Sequence, residues 1–406
     1  MKTTSITYQV FVLFLLFQAV FLSAQNETTF NEPKYESNLV GELSLSGSAD
    51  VYFHNAIGTI EDAPHTSFAN LPGFSLGMIN LILSYKSNKT GIVADMVYGP
   101  RGEDAVFKAS HFNKSAGNGS ARIVNQLYVY YKFSDDFTLN LGQFNTFLGY
   151  EVISPIPNFH YSTSYLFSYG PFSHTGLRAD FTLGSGWLAK VAVMNPTDFT
   201  AYNPFETYTL GAQIGFEKDD GSIYLNVTTG DQDGRIKKTD SINSISTGKT
   251  LQVDLTAGID LSKKYYLGVN ASYQGIQSGE VSTPDGITNY TSDTYGFYGV
   301  VVYHKYAVSE TLAVGLRAEL FNEFEGGVGA IGGYNEEGDS NITEITLSAN
   351  YTDGGFRVIP EIRMDSGSER TFTRSSNGPA LNTMMSFNIA VVYTIPSISY
   401  KIHAKN

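Results

Sequence analysis

The feature that most constrains this chain is the rhythm of its connections. Sixteen segments alternate apolar and polar residues at every second position, the period of a strand whose two faces meet different surroundings. They fall at about 41–54, 76–86, 91–99, 122–133, 136–144, 175–183, 187–194, 208–217, 221–229, 249–261, 265–277, 293–306, 311–321, 342–352, 355–365 and 384–395. Seven connections are short, among them Ser134-Asp-Asp136, Gly184-Ser-Gly186 and Thr352-Asp-Gly-Gly355, and they alternate with eight long ones. A soluble sandwich shares the period of two but has no reason to sort its loops by length onto opposite edges. An outer-membrane barrel does so, with short periplasmic turns and long external loops. The expected fold is all-β: a transmembrane antiparallel β-barrel of about 16 strands.

The two faces of each strand then acquire meanings. Leu312, Val314, Leu316, Ala318 and Leu320 share one face, with Arg317 and Glu319 on the other. Phe356, Val358, Pro360, Ile362 and Met364 oppose Arg357, Glu361, Arg363 and Asp365. The apolar face belongs to lipid and the charged face to the lumen. Extended along the chain, this alternation points Arg122, Lys132, Arg178, Lys190, Arg317, Arg357 and Arg363 inward, with Asp95, Asp180, Asp254, Asp260, Glu319, Glu361 and Asp365. Such charges either tune a pore or pair across strands to satisfy one another, and the sequence leaves both open. Aromatics near strand ends, from Tyr85, Tyr98, Phe133, Phe137 and Phe181 to Trp187, Tyr273, Phe321, Tyr351, Phe356 and Tyr393, are expected to form interfacial girdles.

The chain opens with Lys2, an apolar run from Val10 to Leu22, and Ser23-Ala24-Gln25. The run is shorter than the roughly 20 residues of a spanning helix, so residues 1–24 are expected to be a cleaved signal peptide. Residues 25–406 then form a single outer-membrane β-barrel domain. A net charge of -13 argues against nucleic acid. The absence of cysteine removes disulfides and a lipoprotein anchor.

One stretch breaks the pattern. Residues 145–174 contain Pro155, Pro157 and Pro171, which a hydrogen-bonded ladder interior does not accept, and are too aromatic for a solvated loop. Sixteen strands enclose a lumen wider than their side chains fill. This third long loop is therefore expected to fold into the lumen and form a constriction from Glu151, Asn158, His160, Tyr161, Ser162 and His174. Glu151, its only acidic residue, is expected to oppose a wall arginine.

The same region carries a resemblance. Leu141-Gly-Gln-Phe144, Gly149-Tyr-Glu151, Asn158, Tyr161-Ser-Thr-Ser164, Pro171, His174-Thr-Gly176 and Val193-Met-Asn195 resemble the motif run of the OmpL-like beta-barrel porin-2 family of Gram-negative bacteria. The likeness is densest over residues 141–195 and implies an outer-membrane porin. The chain departs from the usual barrel ending, since it continues past Tyr393 through Pro396, so the last strand is either 384–395 or 397–403.

Catalytic signals are thin. His160-Tyr-Ser162 and Ser173-His174 are the nearest to a base beside a nucleophile, and no Gly-x-Ser-x-Gly elbow is present. Asp231-Gln-Asp-Gly234 begins like a calcium loop but lacks its continuation, and reads as a solvated turn. No enzyme activity, cofactor or metal is expected. The expected function is passive diffusion of small hydrophilic solutes or ions across the cell outer membrane. Membrane lipid and these solutes are the partners, and a homo-oligomer is left open. The alternatives are a structural or adhesive barrel with a closed lumen and, less favoured, an outer-membrane hydrolase.

Overall fold

The period-two segments become strands of one closed sheet in the computed structural model, which describes residues 40–402 apart from 59–61, 113–119, 237–243, 285, 290–293 and 375–377. The expected signal peptide, residues 1–24, lies outside the described residues. The first half contains β1 (Gly41–Ala56), β2 (Gly73–Lys86), β3 (Thr90–Tyr98), β4 (Val124–Ser134), β5 (Phe137–Asn145), β6 (Ser173–Gly184), β7 (Trp187–Met194) and β8 (Thr209–Lys218). The second contains β9 (Gly221–Asp231), β10 (Ile245–Ser262), β11 (Tyr265–Thr283), β12 (Gly286–Asn289), β13 (Tyr295–Ala307), β14 (Leu312–Phe324), β15 (Ser340–Asp353), β16 (Phe356–Gly367) and β17 (Thr383–Ile402). Sequential strands pair antiparallel, and β1 pairs with β17 as well as β2, which closes the ring. Short β12 lies only on the outer end of β11, which pairs directly with β13, so sixteen strands make the wall.

Local chemistry sets the details. Gly184 and Trp187 are register partners, and the two residues between them, Ser185 and Gly186, have φ of 53° and 88°. Positive φ at both positions gives the turn whose twist matches antiparallel strands, and glycine adopts it without strain. Pro396 does not end the last strand. Leu45 faces Ile398 while Gly47 faces Ile395, so β17 carries one extra residue there, and this bulge accommodates a residue without an N–H. The last strand is one continuous element of 20 residues.

Outside, the lipid face is aliphatic, with Leu141, Leu210, Leu347 and Ile362 exposed. Beside the short turns, Tyr131, Phe133, Phe137 and Phe181 form a chain of rings with centroids 4.8, 5.1 and 5.0 Å apart, an interfacial belt. Phe321 corrects the expected girdle. It shares the inward face of Arg317 and Glu319 and is fully buried against Phe297 and Tyr165. Inside the β13 to β17 arc, Tyr165, Leu166, Phe297, Val301, Phe321 and Ile331 form an apolar cluster, completed by Phe372 from the loop before β17.

Candidate functional site

The connection between β5 and β6, residues 146–172, has one short helix, α2 (Tyr165–Tyr169), and α1 (Pro100–Ala105) lies in the connection after β3. Irregular backbone away from water must find partners for its N–H and C=O groups elsewhere. Here the wall supplies them. Glu361 accepts from the N–H groups of Tyr161 (3.0 Å) and Ser162 (3.2 Å), and Glu319 from those of Tyr165 (2.7 Å) and Leu166 (2.8 Å), at the start of α2. Asp254, on the other side, accepts from the Gly149 N–H at 2.9 Å. The carbonyls go to cations: Arg317 donates to Ser162 O (2.6 Å) and Arg363 to Thr163 O (2.7 Å). Arg357 reaches the carbonyls of Pro155, Ile156 and Asn158. Acids hold amides and arginines hold carbonyls.

Arg317 is the centre of this grip. Nη1 donates to Glu151 at 2.8 Å, Nε to Glu344 at 3.1 Å, and Nη2 to Ser162 Oγ, Glu344 and Thr346. Arg363 makes a bidentate pair with Asp365 at 2.7 and 2.8 Å. All five side chains of these ion pairs are buried. Burying charge is costly unless the donors and acceptors are matched, and here every guanidinium nitrogen has a partner. Loop residues add their own ties. Asn158 bonds both N–H and C=O of Val152, and Tyr161 Oη donates to Asp50 at 2.6 Å. His160 Nδ1 lies 2.7 Å from Ser348 Oγ; burial, with Arg317 nearby, lowers this imidazole from 6.5 to about 3, so it is neutral at pH 7.

The remaining wall charges lie elsewhere. Arg178 makes a bidentate pair with Asp180 at 2.8 and 2.9 Å and covers the Phe144 ring. Lys190 donates to Gln213, which donates to Asn226 (2.6 Å), which donates to Asp254 (3.0 Å), where Asn270 also arrives (2.7 Å). This is an amide relay across β7 to β11. Lys132 has inward parity but sits at the rim, 3.5 Å from Asp135 of the turn. Arg122 is not on the wall: β4 starts at Val124, and Arg122 lies in a 3-10 turn, Ser120–Ile123, 4.0 Å from Glu103. Nor are the serine–histidine neighbours paired as a nucleophile and base. His160 turns to Ser348, Ser162 Oγ accepts from Arg317, and His174 Nε2 lies 3.0 Å from Thr146 Oγ1.

Four anchors were not singled out in the sequence. Glu344 shares the inward parity of Thr346 and Ser348 and was legible by alternation. Asp50 lies inward on β1 in the same way. Arg101 comes from α1, donates to Ile153 O (2.8 Å) and Tyr161 O (3.2 Å), and stacks over Phe68 and Tyr161, which strand periodicity cannot reveal. Asp198 accepts from the N–H groups of Phe172 and Ser173 at 2.8 and 2.9 Å, and burial pushes its carboxyl up.

Two cavities lie on the β6 to β11 side. One, of about 540 Å3, is lined by Leu148, Tyr150, Arg178, Lys190, Tyr224 and Tyr266. The other, of about 580 Å3, is lined by Lys108, Tyr169, Phe199, Thr228, Gln252 and Gln274. Phe172 lines both and stands between them.

A family model described as "Putative beta-barrel porin-2, OmpL-like" matches residues 42–394. No curated protein sequence matches the chain. Similar solved structures include the outer-membrane channel DcaP of Acinetobacter baumannii (TM-score 0.54, 13% identity, covering 87% of this chain and 98% of that one). An anion-selective porin from Comamonas acidovorans gives 0.53 at 11% identity (88% and 99%). The trimer form of OmpT, an outer-membrane protein of Vibrio cholerae, gives 0.52 at 11% identity (88% and 100%). At such identities the likeness is one of fold.

Proposed function

The chain belongs to the OmpL-like beta-barrel porin-2 family, and on that footing we propose that it is a passive diffusion channel for small hydrophilic solutes or ions whose passage runs along the β6 to β11 side of the lumen. Residues 145–174 form the constriction. Their amides and carbonyls, with Glu151, are held by wall charges on β14 to β16, so these charges fix the loop and leave the opposite wall to the solute. The observation that carries the reading is the pair of cavities, about 540 and 580 Å3, that share Phe172 as a common wall. Passage then follows from width and polarity, and no bond is made or broken. A cleaved signal peptide over residues 1–24 delivers the barrel, and self-association into a homo-oligomer accords with the trimer form of OmpT.

Planar-bilayer recording of refolded protein tests this. Stepwise conductance is expected, increased by Phe172→Leu and further by Phe172→Ala. Absence of steps in both wild type and variants would sink the channel and favour the second reading, a closed barrel whose external loops bind a ligand. That reading draws on the buried apolar cluster to which Ile331 and Phe372, from the connections before β15 and β17, belong together with Phe321.

A further inference from the structure

The outer cavity has a lining unlike the rest of the interior. Thr228, Gln252 and Gln274 are lateral register partners on β9, β10 and β11, so they form one row across the wall, and Gln274 donates to Gln252 at 3.2 Å. Thr250 lies nearer the outer rim on β10. Facing this row are rings. Phe107 meets Phe172 edge-on with centroids 6.2 Å apart, and Phe199 meets Phe205 edge-on at 5.1 Å. Tyr169 completes the aromatic side.

The charges around the cavity make hydrogen bonds within the protein. Lys108 donates to Thr197 O at 3.1 Å and lies over the rings of Phe107 and Phe199. Asp198 holds the Phe172 and Ser173 amides, and Asp233 accepts from the Thr247 N–H at 2.8 Å. Asp233 Oδ1 has no hydrogen-bond partner among the described residues but is buried away from solvent, and the row of side chains that the cavity does expose is neutral. A hydroxyl-rich, uncharged solute finds amide and hydroxyl groups that both donate and accept, opposite aromatic faces that cover C–H surfaces. The volume of about 580 Å3 is within the range of small-ligand sites.

We propose that this outer cavity is a binding site for neutral polyhydroxylated solutes of mono- to disaccharide size, held between the Thr228–Gln252–Gln274 row and the Phe107, Tyr169, Phe199 and Phe205 rings. The proposal rests on the channel reading and names the solute class that enters first. The site lies external to Phe172, so a bound sugar occludes ion flow before the narrow point.

The test is ion current through single channels with sucrose or maltose added to the external side, against a polyethylene glycol of similar size at matched viscosity. A saturable fall in current with sugar and only a linear viscosity effect with the polymer is expected. Gln252→Ala and Phe205→Ala should each raise the half-saturating sugar concentration about tenfold, as loss of one well-placed contact does. Equal, linear effects of sugar and polymer, or variants that saturate like the wild type, would overturn the site while leaving the channel standing. If no current is seen at all, the channel fails, and titration calorimetry of the refolded barrel in detergent decides the site: saturable heat with sucrose or maltose, lost in Gln252→Ala, keeps it, and its absence removes it.

Discussion

The two sides of this lumen solve the same problem with opposite chemistry. On the β13 to β17 side, the ionic and apolar residues that point inward are spent on internal contacts: Arg317 and Arg363 on carboxylates and loop carbonyls, Phe297 and Phe321 on the apolar cluster with loop residues. On the β7 to β11 side the wall is an amide relay from Lys190 through Gln213 and Asn226 to Asp254, and it borders open volume. The difference teaches what buried charge is for in a wide barrel. Ions matched by fixed partners hold most of the loop, whereas the amide relay touches it only at Phe147 and Gly149 and borders open volume.

Removing one ion from each side should break the symmetry most. Arg317→Ala leaves Glu151 buried without its cation and Glu344 with Arg363 alone, 3.8 Å away, and a loss of about 3–5 kcal/mol is expected. Arg178→Ala, removing a partly accessible pair with Asp180, should cost about 1 kcal/mol or less. Urea unfolding in lipid vesicles, followed by the sole tryptophan, Trp187, measures both. Equal losses would mean that the filled side is not specially dependent on its charges.

Acid should act on the filled side as well. The folded value of His160 lies below its unfolded one, so the folded chain binds fewer protons, and the stability it contributes is complete above pH 6.5 and declines as pH falls from there toward 3. His160→Asn should flatten the slope between pH 6 and 4. An unchanged slope would show that His160 is protonated in place. A small effect, of similar size to that of Arg178→Ala, belongs to the amide relay. Gln213→Ala should lower stability by about 1 kcal/mol while changing channel conductance, because it frees Lys190 and Asn226 beside the inner cavity.

How much of this was legible follows from what periodicity reports. It states which face a side chain takes, because lipid and lumen select opposite polarity at every second residue, and Arg317, Glu319, Glu361 and Arg363, which it points inward, are buried. It cannot end a strand, so it extends β4 to Arg122, which lies in a turn two residues before the strand begins. It also assumes that inward means wet. Aromatics at strand ends mark interfaces, which points Phe321 outward, yet a filled lumen offers an aromatic a dry place inside. Nor does it say how far around the ring two strands lie. That Glu151 meets Arg317, 166 residues away, depends on the path of the loop, and the reach of Arg101 from a separate loop left no periodic trace.

The seam between β1 and β17 bears on time. The ring closes only when the last strand of the chain arrives, and the loop after β5 is gripped by residues from β14, β15 and β16, with Tyr161 and Glu361 200 residues apart. Contacts of such separation form late and slowly. The loop therefore settles only once the strands next to the seam are in place, so its ordering and the joining of first strand to last belong to a single, final kinetic event. A barrel stalled with an open seam would also be one whose interior is still unoccupied.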